Sequence, residues 1–326
     1  MSNTWDYRFA FRVQAPSDIP SEFRSMYDRL LETCGPPVFG LFSPAMEDPG
    51  FILSHWLPPK LILLFSESLA VLSLDSRSDQ ALTFELPRED FLGYRLAEFL
   101  LNCWFTLYGR PSGDEGIQIR FPSRAFQHFV EFARLLINWL ERDGEAVQNQ
   151  TQSSRAIPGL PPKFSSFLEA HTEFGPASEF FFQPATELRK KRQGRWANVL
   201  LLITRDSIVA LTDQHRGECS QYGIEMTYFP LRRVTSVEWI ESADGREAEI
   251  RICLRGIKSE SCHSWPVLSG LKPYALRWSK AAESSLIAMA KDYNPPEASG
   301  GQGGEYESDS GPLQGRDSNH ARSRSD

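Results

Sequence analysis

A short basic run is the part of this sequence best suited to binding chemistry. Residues 189–196 contain Arg189, Lys190, Lys191, Arg192, Arg195 and Trp196. Several cations on one short segment can hold a phosphate group, because arginine binds it through two parallel hydrogen bonds and lysine acts as a point charge. The same cations could lie against an anionic lipid surface, where each contributes about 1 kcal/mol. The alternative is a solvated turn in an acidic protein, since most charge runs are simply exposed.

Catalytic motifs are absent from the sequence. The six histidines have no spacing typical of a metal site; they are His55, His128, His171, His215, His263 and His320. No nucleophile elbow, phosphate-binding loop or dinucleotide fingerprint opens a helix after a strand. We therefore expect a protein that is not an enzyme, with no catalytic residue, no cofactor and no metal. A catalytic group assembled from distant residues is the less favoured alternative.

Length and charge limit the function classes. A chain of 326 residues can form two domains, each with its own core. The net charge of −7 argues against broad nucleic-acid binding, which needs a large positive field, and we expect no nucleic-acid partner. The longest aliphatic runs are too short to span a bilayer, so no transmembrane segment is expected.

Cysteine usage is typical of a reducing compartment. The five cysteines are scattered and include no CxxC pair; they are Cys34, Cys103, Cys219, Cys253 and Cys262. We predict that Cys103 and Cys253 are small core residues. The first ten residues contain Asp6 and Arg8 and do not resemble a signal peptide. A soluble, cytoplasmic protein is expected, with peripheral contact to a membrane left open.

The sequence contains an internal repeat. Residues 61–74 (LILLFSESLAVLSL) and 200–213 (LLLITRDSIVALTD) each predict two apolar strands joined by a polar turn. Their alignment places Ser68 on Ser207, and Pro87 follows the first hairpin much as Pro230 follows the second. Each half then has a further strand and an amphipathic helix. A duplicated unit of this kind is typical of a binding scaffold.

Apolar periodicity predicts the elements around these hairpins. Helices are expected over residues 17–32, 123–142 and 273–292. Strands are expected over residues 5–13, 117–121, 178–185, 197–204, 207–212, 224–230, 234–241 and 249–254. Residues 91–108 are ambiguous between helix and strand, and residues 38–59 have no clean period.

Composition suggests four segments. Residues 143–163 are polar and proline-rich and predict a linker between a first unit, 1–142, and a second unit, 164–294. Residues 295–326 are rich in Gly, Ser and charge, and predict a disordered C-terminal tail, because such a segment buries too little surface to offset its ordering entropy.

The second unit resembles a known superfold. A strand ending at Pro184 is followed by the basic turn LRKKRQGRW (188–196), an apolar strand, the turn TRDS (204–207) and the segment YFPLRRVTSVE (228–238). This order resembles a pleckstrin-homology-like domain, the superfold shared by PH, GRAM and bacterial PH-type modules. The resemblance covers about residues 164–293. In the first half it covers only the hairpin, the Pro87 stretch and the final helix.

The resemblance implies an α+β, mainly antiparallel fold. It comprises two PH-like β-sandwich or partly open barrel units in tandem, each closed by a C-terminal helix, with the first unit a degenerate copy. In PH domains the loop between the first two strands carries basic residues that clamp inositol phosphates, and the run 189–196 falls on that loop. The implied function is a non-catalytic intracellular adaptor, whose second unit binds an anionic lipid headgroup or a phosphate-bearing ligand.

The first unit has no equivalent basic run. At the corresponding position it offers only Lys60 and His55 among apolar residues. We expect it to pack against the second unit or to hold a protein partner. The alternative for the whole chain is a protein-interaction scaffold that binds a peptide or a partner strand at a sheet edge.

Strand alternation gives two further expectations. Phe180, Phe181 and Phe182 cannot all face one side of a strand, so an interdomain contact is predicted there. Ile208 and Ala210 should face one side of their sheet, and Val209 and Leu211 the other.

Overall fold

The fold is described from a computed structural model. It describes residues 9–48, 55–74, 81–99, 102–109, 116–141, 157, 159–171, 174, 176–185, 197–213, 223–241, 247–255 and 262–292.

The described part of the first half contains ten strands and two long helices, with α1 after the first strand and α2 after the last. They are β1 (Phe11–Val13), α1 (Ser21–Cys34), β2 (Phe39–Ser43), β3 (Met46–Asp48), β4 (His55–Leu57), β5 (Lys60–Leu64), β6 (Ser68–Leu74), β7 (Ala81–Pro87), β8 (Phe91–Phe99), β9 (Asn102–Gly109), β10 (Ile117–Pro122) and α2 (Phe126–Glu141).

The second half, like the first, ends in a series of strands followed by a long helix. Its elements are α3 (Pro162–Ala170), β11 (Glu179–Gln183), β12 (Val199–Ile203), β13 (Ser207–Asp213), β14 (Gly223–Pro230), β15 (Val234–Glu241), β16 (Glu247–Leu254), β17 (Cys262–Leu268) and α4 (Lys272–Asp292).

The strands form antiparallel sheets, so the expected α+β, mainly antiparallel class is confirmed. A five-stranded sheet has the order β1-β2-β5-β6-β7, and a seven-stranded sheet has the order β10-β9-β8-β14-β13-β12-β11. A three-stranded sheet contains β15-β16-β17, and β3 and β4 form a separate hairpin.

These sheets are open, and the described strands close no barrel; the expectation of two β-sandwich or partly open barrel units stays a prediction. Closure would require β7 to pair with β8, and β14 with β15. Instead, a 3₁₀ turn follows Pro87 and another follows Pro230, and each turn directs the chain into a different sheet. Proline favours this change because it lacks the N–H that would continue the ladder.

The two predicted hairpins have matching backbone hydrogen bonds. In each, the residue before the turn donates to the serine that opens the next strand, and the residue after the proline donates to the turn. The bonds are Phe65 N to Ser68 O, 2.8 Å; Thr204 N to Ser207 O, 2.9 Å; Arg88 N to Glu67 O, 2.9 Å; and Leu231 N to Asp206 O, 2.8 Å. The sequence repeat is therefore also a repeat of local backbone geometry.

One ladder joins the halves. β8 of the first half pairs antiparallel with β14 of the second, from Tyr94 opposite Tyr228 to Phe99 opposite Gly223. Gly93 (φ 156°) lies at this seam, where an added Cβ would approach the Tyr228 carbonyl oxygen to 2.4 Å. The predicted segments 1–142, 143–163, 164–294 and 295–326 stay a prediction, but strands on both sides of residues 143–163 share one sheet.

Both faces of β12 and β13 are buried. Ile208 and Ala210 belong to a cluster with β15–β17 and α4. Val209 and Leu211 belong to a second cluster, which includes α2 and much of the first half. The predicted alternation of these four residues is confirmed. A third cluster packs α1 against β1, β5 and β6.

Several elements differ from the sequence expectations. Residues 91–108 form the two strands β8 and β9, and the hairpin β3–β4 and strand β17 were not predicted. Helix α1 begins at Ser21, because the Asp18 carboxylate accepts the backbone N–H groups of Gln14 and Ala15, each at 2.9 Å, and fixes a 3₁₀ turn before it.

Cys103 and Cys253 are both buried, as predicted, but Cys253 is not a free thiol. Cys253 forms a disulfide with Cys262, which lies directly opposite it in the β16–β17 ladder. The sequence interpretation missed this pair because it missed β17. Disulfides are rare in reducing compartments, so cysteine usage no longer supports a cytoplasmic location, which stays a prediction. Cys34 is a free thiol.

Candidate functional site

The predicted binding residues lie outside the described residues. Arg189, Lys190, Lys191, Arg192, Arg195 and Trp196 all fall within residues 186–196. Their placement therefore stays a prediction. The structure does describe both ends of the connection to which they belong, and those ends can be analysed.

The basic connection joins two directly paired strands. β11 ends at Gln183 and β12 begins at Val199, and these two residues are opposite each other in the ladder. Gln183 is fully buried, and its side chain accepts a hydrogen bond from Leu268 N at 2.8 Å and donates to Pro266 O at 3.2 Å. The strand that leads into the basic run is thus fastened to β17.

Asn198 and Asp213 fix the other end of the connection. The Asn198 side chain accepts a hydrogen bond from Ala185 N at 2.8 Å and donates to the Asp213 carboxylate. The backbone N–H of Asn198 donates to the same carboxylate oxygen at 3.3 Å, and Asp213 N donates to Asn198 O at 3.1 Å. Three strand ends, those of β11, β12 and β13, are therefore held together.

Lys163 completes this network from a helix. Its ammonium group pairs with the Asp213 carboxylate, whose side chain is only 9% exposed. Lys163 lies in the first turn of α3, although the sequence analysis placed it in the linker. Because Lys163 and Asp213 neutralise each other, the base of the connection adds no net charge to the basic run. Sequence analysis missed Lys163, Asn198 and Asp213, whose only signal was polar residues flanking apolar strands.

The corresponding place in the first half is a cavity. Residues 44–59 join β2 to β5 there, and Ser43 lies opposite Lys60 in the ladder. A cavity of about 100 Å³ is lined by Ser43, Lys60 and Arg120, with an apolar wall from β3 and β4. Burial lowers the pKa of the Lys60 ammonium group below its ordinary value. His55 lies in β4, and its side chain is outside the described part.

A second group of ionisable residues lies at the seam. Arg95 donates a hydrogen bond to the Tyr108 hydroxyl at 2.6 Å and pairs with Glu225 at 3.5 Å. Burial raises the pKa of Tyr108, although Arg95 opposes this. For Arg95, burial acts to lower the pKa, but Glu225 and Tyr108 raise it overall. The group links β8, β9 and β14, so its main effect is to hold the halves in register.

The three consecutive phenylalanines point in different directions. Phe181 is buried in the cluster of the second half, and Phe182 packs against the cluster to which both halves contribute. Phe180 remains 41% exposed. The expected contact between the halves is therefore made by Phe182, and Phe180 leaves an aromatic side chain on the surface of an edge strand.

The described residues were also compared with the requirements of a metal site and of a membrane-spanning helix. No cluster of three or more His, Cys, Asp or Glu residues that could hold a metal occurs in the described part of the chain. Within the same residues, no helix is long and apolar enough to cross a membrane. No protein family matches the sequence, and no curated protein is significantly similar to it.

Proposed function

We propose that this chain is a non-catalytic adaptor whose second half binds a phosphate-bearing ligand or an anionic lipid headgroup through residues 186–196. The observation that carries the proposal is a concentration of positive charge in a connection whose two ends are fixed. This connection has five cations and one acid, Glu187, in a chain of net charge −7. Both of its ends belong to paired strands.

Fixed ends favour binding. The hydrogen bonds of Gln183 and Asn198 hold the two ends of the connection in place. A connection with fixed ends loses less conformational entropy when it binds a ligand than a free chain does. Cations clustered in one connection can also bind a flat anionic surface.

The order of elements supports the resemblance to a pleckstrin-homology-like unit. The second half has four sequential antiparallel strands, β11–β14, then three more, β15–β17, and then α4. In α4, Trp278 and Ala282 pack into the cluster between the two sheets. We propose that both halves are such units, with the first lacking the basic connection.

Co-sedimentation with vesicles tests the proposed site. The probes are vesicles of phosphatidylcholine alone and vesicles with one third phosphatidic acid. We expect the full chain to pellet only with the anionic vesicles. The triple variant K190Q/K191Q/R192Q should bind about a hundredfold more weakly, because each cation contributes about 1 kcal/mol.

A matched control removes three cations from another surface. Arg277, Lys280 and Lys291 are exposed on α4, and R277Q/K280Q/K291Q changes the net charge equally. Equal losses of vesicle affinity in the two triple variants would show that the effect comes from net charge and not from residues 186–196. Equal pelleting with neutral and anionic vesicles would also overturn the proposal.

Strand addition is the second candidate function, and one observation favours it. The outer edge of β14 is covered by β8, whereas its counterpart β7 ends the five-stranded sheet. No described strand pairs with the outer edge of β7, and its Leu82 is 58% exposed. An extended peptide could pair with this edge as β8 pairs with β14.

A further inference from the structure

The strands β2 and β11 hold the same place in the two halves. Just before β2, the backbone N–H of Val38 donates to Leu64 O of β5 at 2.7 Å. Just before β11, the backbone N–H of Ser178 donates to Ile203 O of β12 at 2.8 Å. Each bond lies where the first strand of the half begins to pair with the next one, so the two strands begin in the same way.

The far ends of β2 and β11 also match. The Ser43 hydroxyl donates to the Arg120 carbonyl oxygen at 2.6 Å, and the Gln183 side chain donates to the Pro266 carbonyl oxygen at 3.2 Å. Each bond joins the last residue of that strand to the final strand of its half, β10 or β17. Matching contacts at both ends align the two strands residue by residue.

In the first half, an added strand covers the outer edge of β2. β1 pairs antiparallel with this edge, with Val13 opposite Gly40 and Arg12 opposite Leu41. The Arg12 guanidinium group also forms an ion pair with Glu131 of α2 at 2.6 Å. β1 therefore shows how an extended segment binds this edge: through the backbone ladder and one charged side chain that reaches the final helix of the half.

In the second half, the corresponding edge is open. β11 ends the seven-stranded sheet, and no described strand pairs with its outer edge. The bond from Thr204 N to Ser207 O marks a hydrogen-bonded pair of the β12–β13 ladder. Since the two kinds of pair alternate, the amides of Phe180 and Phe182 face away from β12. Phe180, the counterpart of Gly40, is 41% exposed, and an open edge with an exposed aromatic side chain favours strand addition.

The charge beside this edge is reversed relative to the first half. Glu131 and Arg277 are each the sixth residue of their helices, α2 and α4, and α4 packs against β11. Arg277 is exposed, and the exposed Glu179 takes the place of Phe39. An acidic residue at the position of Arg12 would therefore pair with Arg277. Because surface ion pairs are weak, charge sets the preference among partners and the backbone bonds provide most of the affinity.

We propose that the outer edge of β11 binds an extended protein segment as an added antiparallel strand. The segment forms backbone hydrogen bonds to Phe180 and Phe182 and has apolar residues opposite them. Between these, opposite Phe181, it carries an acidic residue that pairs with Arg277. The site involves neither residues 186–196 nor the edge of β7, so it goes beyond the functions proposed above and does not depend on them.

Fluorescence anisotropy with the full chain tests the site. The probe is a labelled peptide with the sequence of residues 9–15 carrying R12E, because β1 comes from this segment. We expect saturable binding of one peptide per chain. Phe180→Pro should weaken it at least about tenfold, since proline removes an outward-facing donor and its ring obstructs the added strand. Phe180→Ala is the matched control; it keeps the donor, and its affinity should stay within about threefold of the wild-type value. Absence of saturable binding, or equal affinities of wild type and Phe180→Pro, would overturn the proposal.

A charge exchange tests the role of Arg277. The wild-type chain should bind the R12E peptide about threefold to fivefold more tightly than the peptide of native sequence. Arg277→Glu should reverse this preference. Lys291→Glu changes the net charge equally at the other end of α4 and should leave the preference as it is in the wild type. Equal shifts in the two variants would refute the pairing with Arg277.

Hydrogen exchange on the wild-type chain gives a result that does not depend on the folding of variants. The amides of Phe180 and Phe182 should exchange fast in the free chain and about tenfold more slowly with saturating R12E peptide. The amide of Phe181, which faces β12, is the internal control and should be unchanged. Slow exchange at Phe180 and Phe182 in the free chain at all concentrations would show that the edge is already covered. Slowing with chain concentration alone would assign the edge to a second copy. Either result, or no response to the peptide, would refute the proposal.

Discussion

Tyr94 and Tyr228 stack on each other at directly paired positions of the β8–β14 ladder. Their ring centroids are 5.1 Å apart and their planes differ by 17°. Tyr94 also stacks on Phe105, and Tyr228 on Phe174, so the pair continues into both halves of the chain. The ladder and these rings make the two halves parts of one buried interface.

Truncation of Tyr228 tests how much the β8–β14 ladder between the halves contributes to the free energy of unfolding. Tyr228→Ala removes a ring that is 2% exposed and should lower the free energy of unfolding by about 3–5 kcal/mol. Tyr274→Ala is the matched control, because Tyr274 is 59% exposed on α4 and its loss should cost less than about 0.5 kcal/mol. Urea denaturation followed by circular dichroism gives both values. Similar values for the two variants would contradict a buried seam.

Cleavage between the halves should not separate them. A site-specific protease sequence placed within residues 144–156 would leave β8 in one fragment and β14 in the other. Because β8 and β14 share a ladder and a core cluster, we expect the fragments to co-elute in size-exclusion chromatography after complete cleavage. Elution as two separate species would show that the halves are independent domains and that the ladder contributes little.

The sequence predicted local elements well and long-range ones poorly. The hairpin of β12 and β13 follows from period-2 alternation, which depends only on neighbouring residues. The pairing of β8 with β14 could not be predicted in this way, because the two strands lie more than 100 residues apart and each reads as an ordinary apolar strand. The edge pairing depends on which edges the rest of the fold leaves uncovered.

The candidate sites show the same division. The basic run 189–196 was apparent from composition, but Lys163, Asn198 and Asp213 meet only because three strand ends and a helix converge. Arg120 and Lys60 line the same cavity because β10 lies beside β2. Nothing in the sequence around either residue predicts this proximity. Charge clusters along the chain can be predicted, whereas clusters across sheets require the topology.

Both faces of β13 should be intolerant of charge. Ile208 and Val209 are each fully buried, one toward α4 and the other toward the first half. Ile208→Asp and Val209→Asp should each lower the free energy of unfolding by several kcal/mol, because each buries an unpaired carboxylate. Arg205→Asp, in the exposed turn before β13, is the control and should have little effect. A mild effect at Val209 alone would mean that its face opens to solvent.

The Cys253–Cys262 disulfide should stabilise the second half. It closes a loop with a sequence separation of 9 residues, for which loop entropy predicts about 2–3 kcal/mol. The double variant C253S/C262S should lose this stability, and a reducing agent should destabilise the wild-type chain but not the double variant. Cys34→Ser is the control for loss of a cysteine, because Cys34 is a free thiol. Modification of both Cys253 and Cys262 by iodoacetamide in the native chain, without reductant, would show that the bond is absent.

The last prediction concerns the outer edge of β7, on which the strand-addition hypothesis depends. The bond from Arg88 N to Glu67 O shows that Ser68 and Pro87 form a pair without mutual hydrogen bonds. Since the two kinds of pair alternate along an antiparallel ladder, the amides of Phe84 and Leu86 face β6 and those of Thr83 and Glu85 face outward.

Hydrogen exchange resolved to single amides distinguishes an open edge from a covered one. Thr83 and Glu85 should exchange roughly a hundredfold faster than their counterparts in β14, Met226 and Tyr228, whose amides face β8. Phe84, bonded to β6, is the control within the same strand and should exchange slowly. Slow exchange at both Thr83 and Glu85 would show that the edge is already covered, and strand addition at β7 would then be excluded as the basis of partner binding.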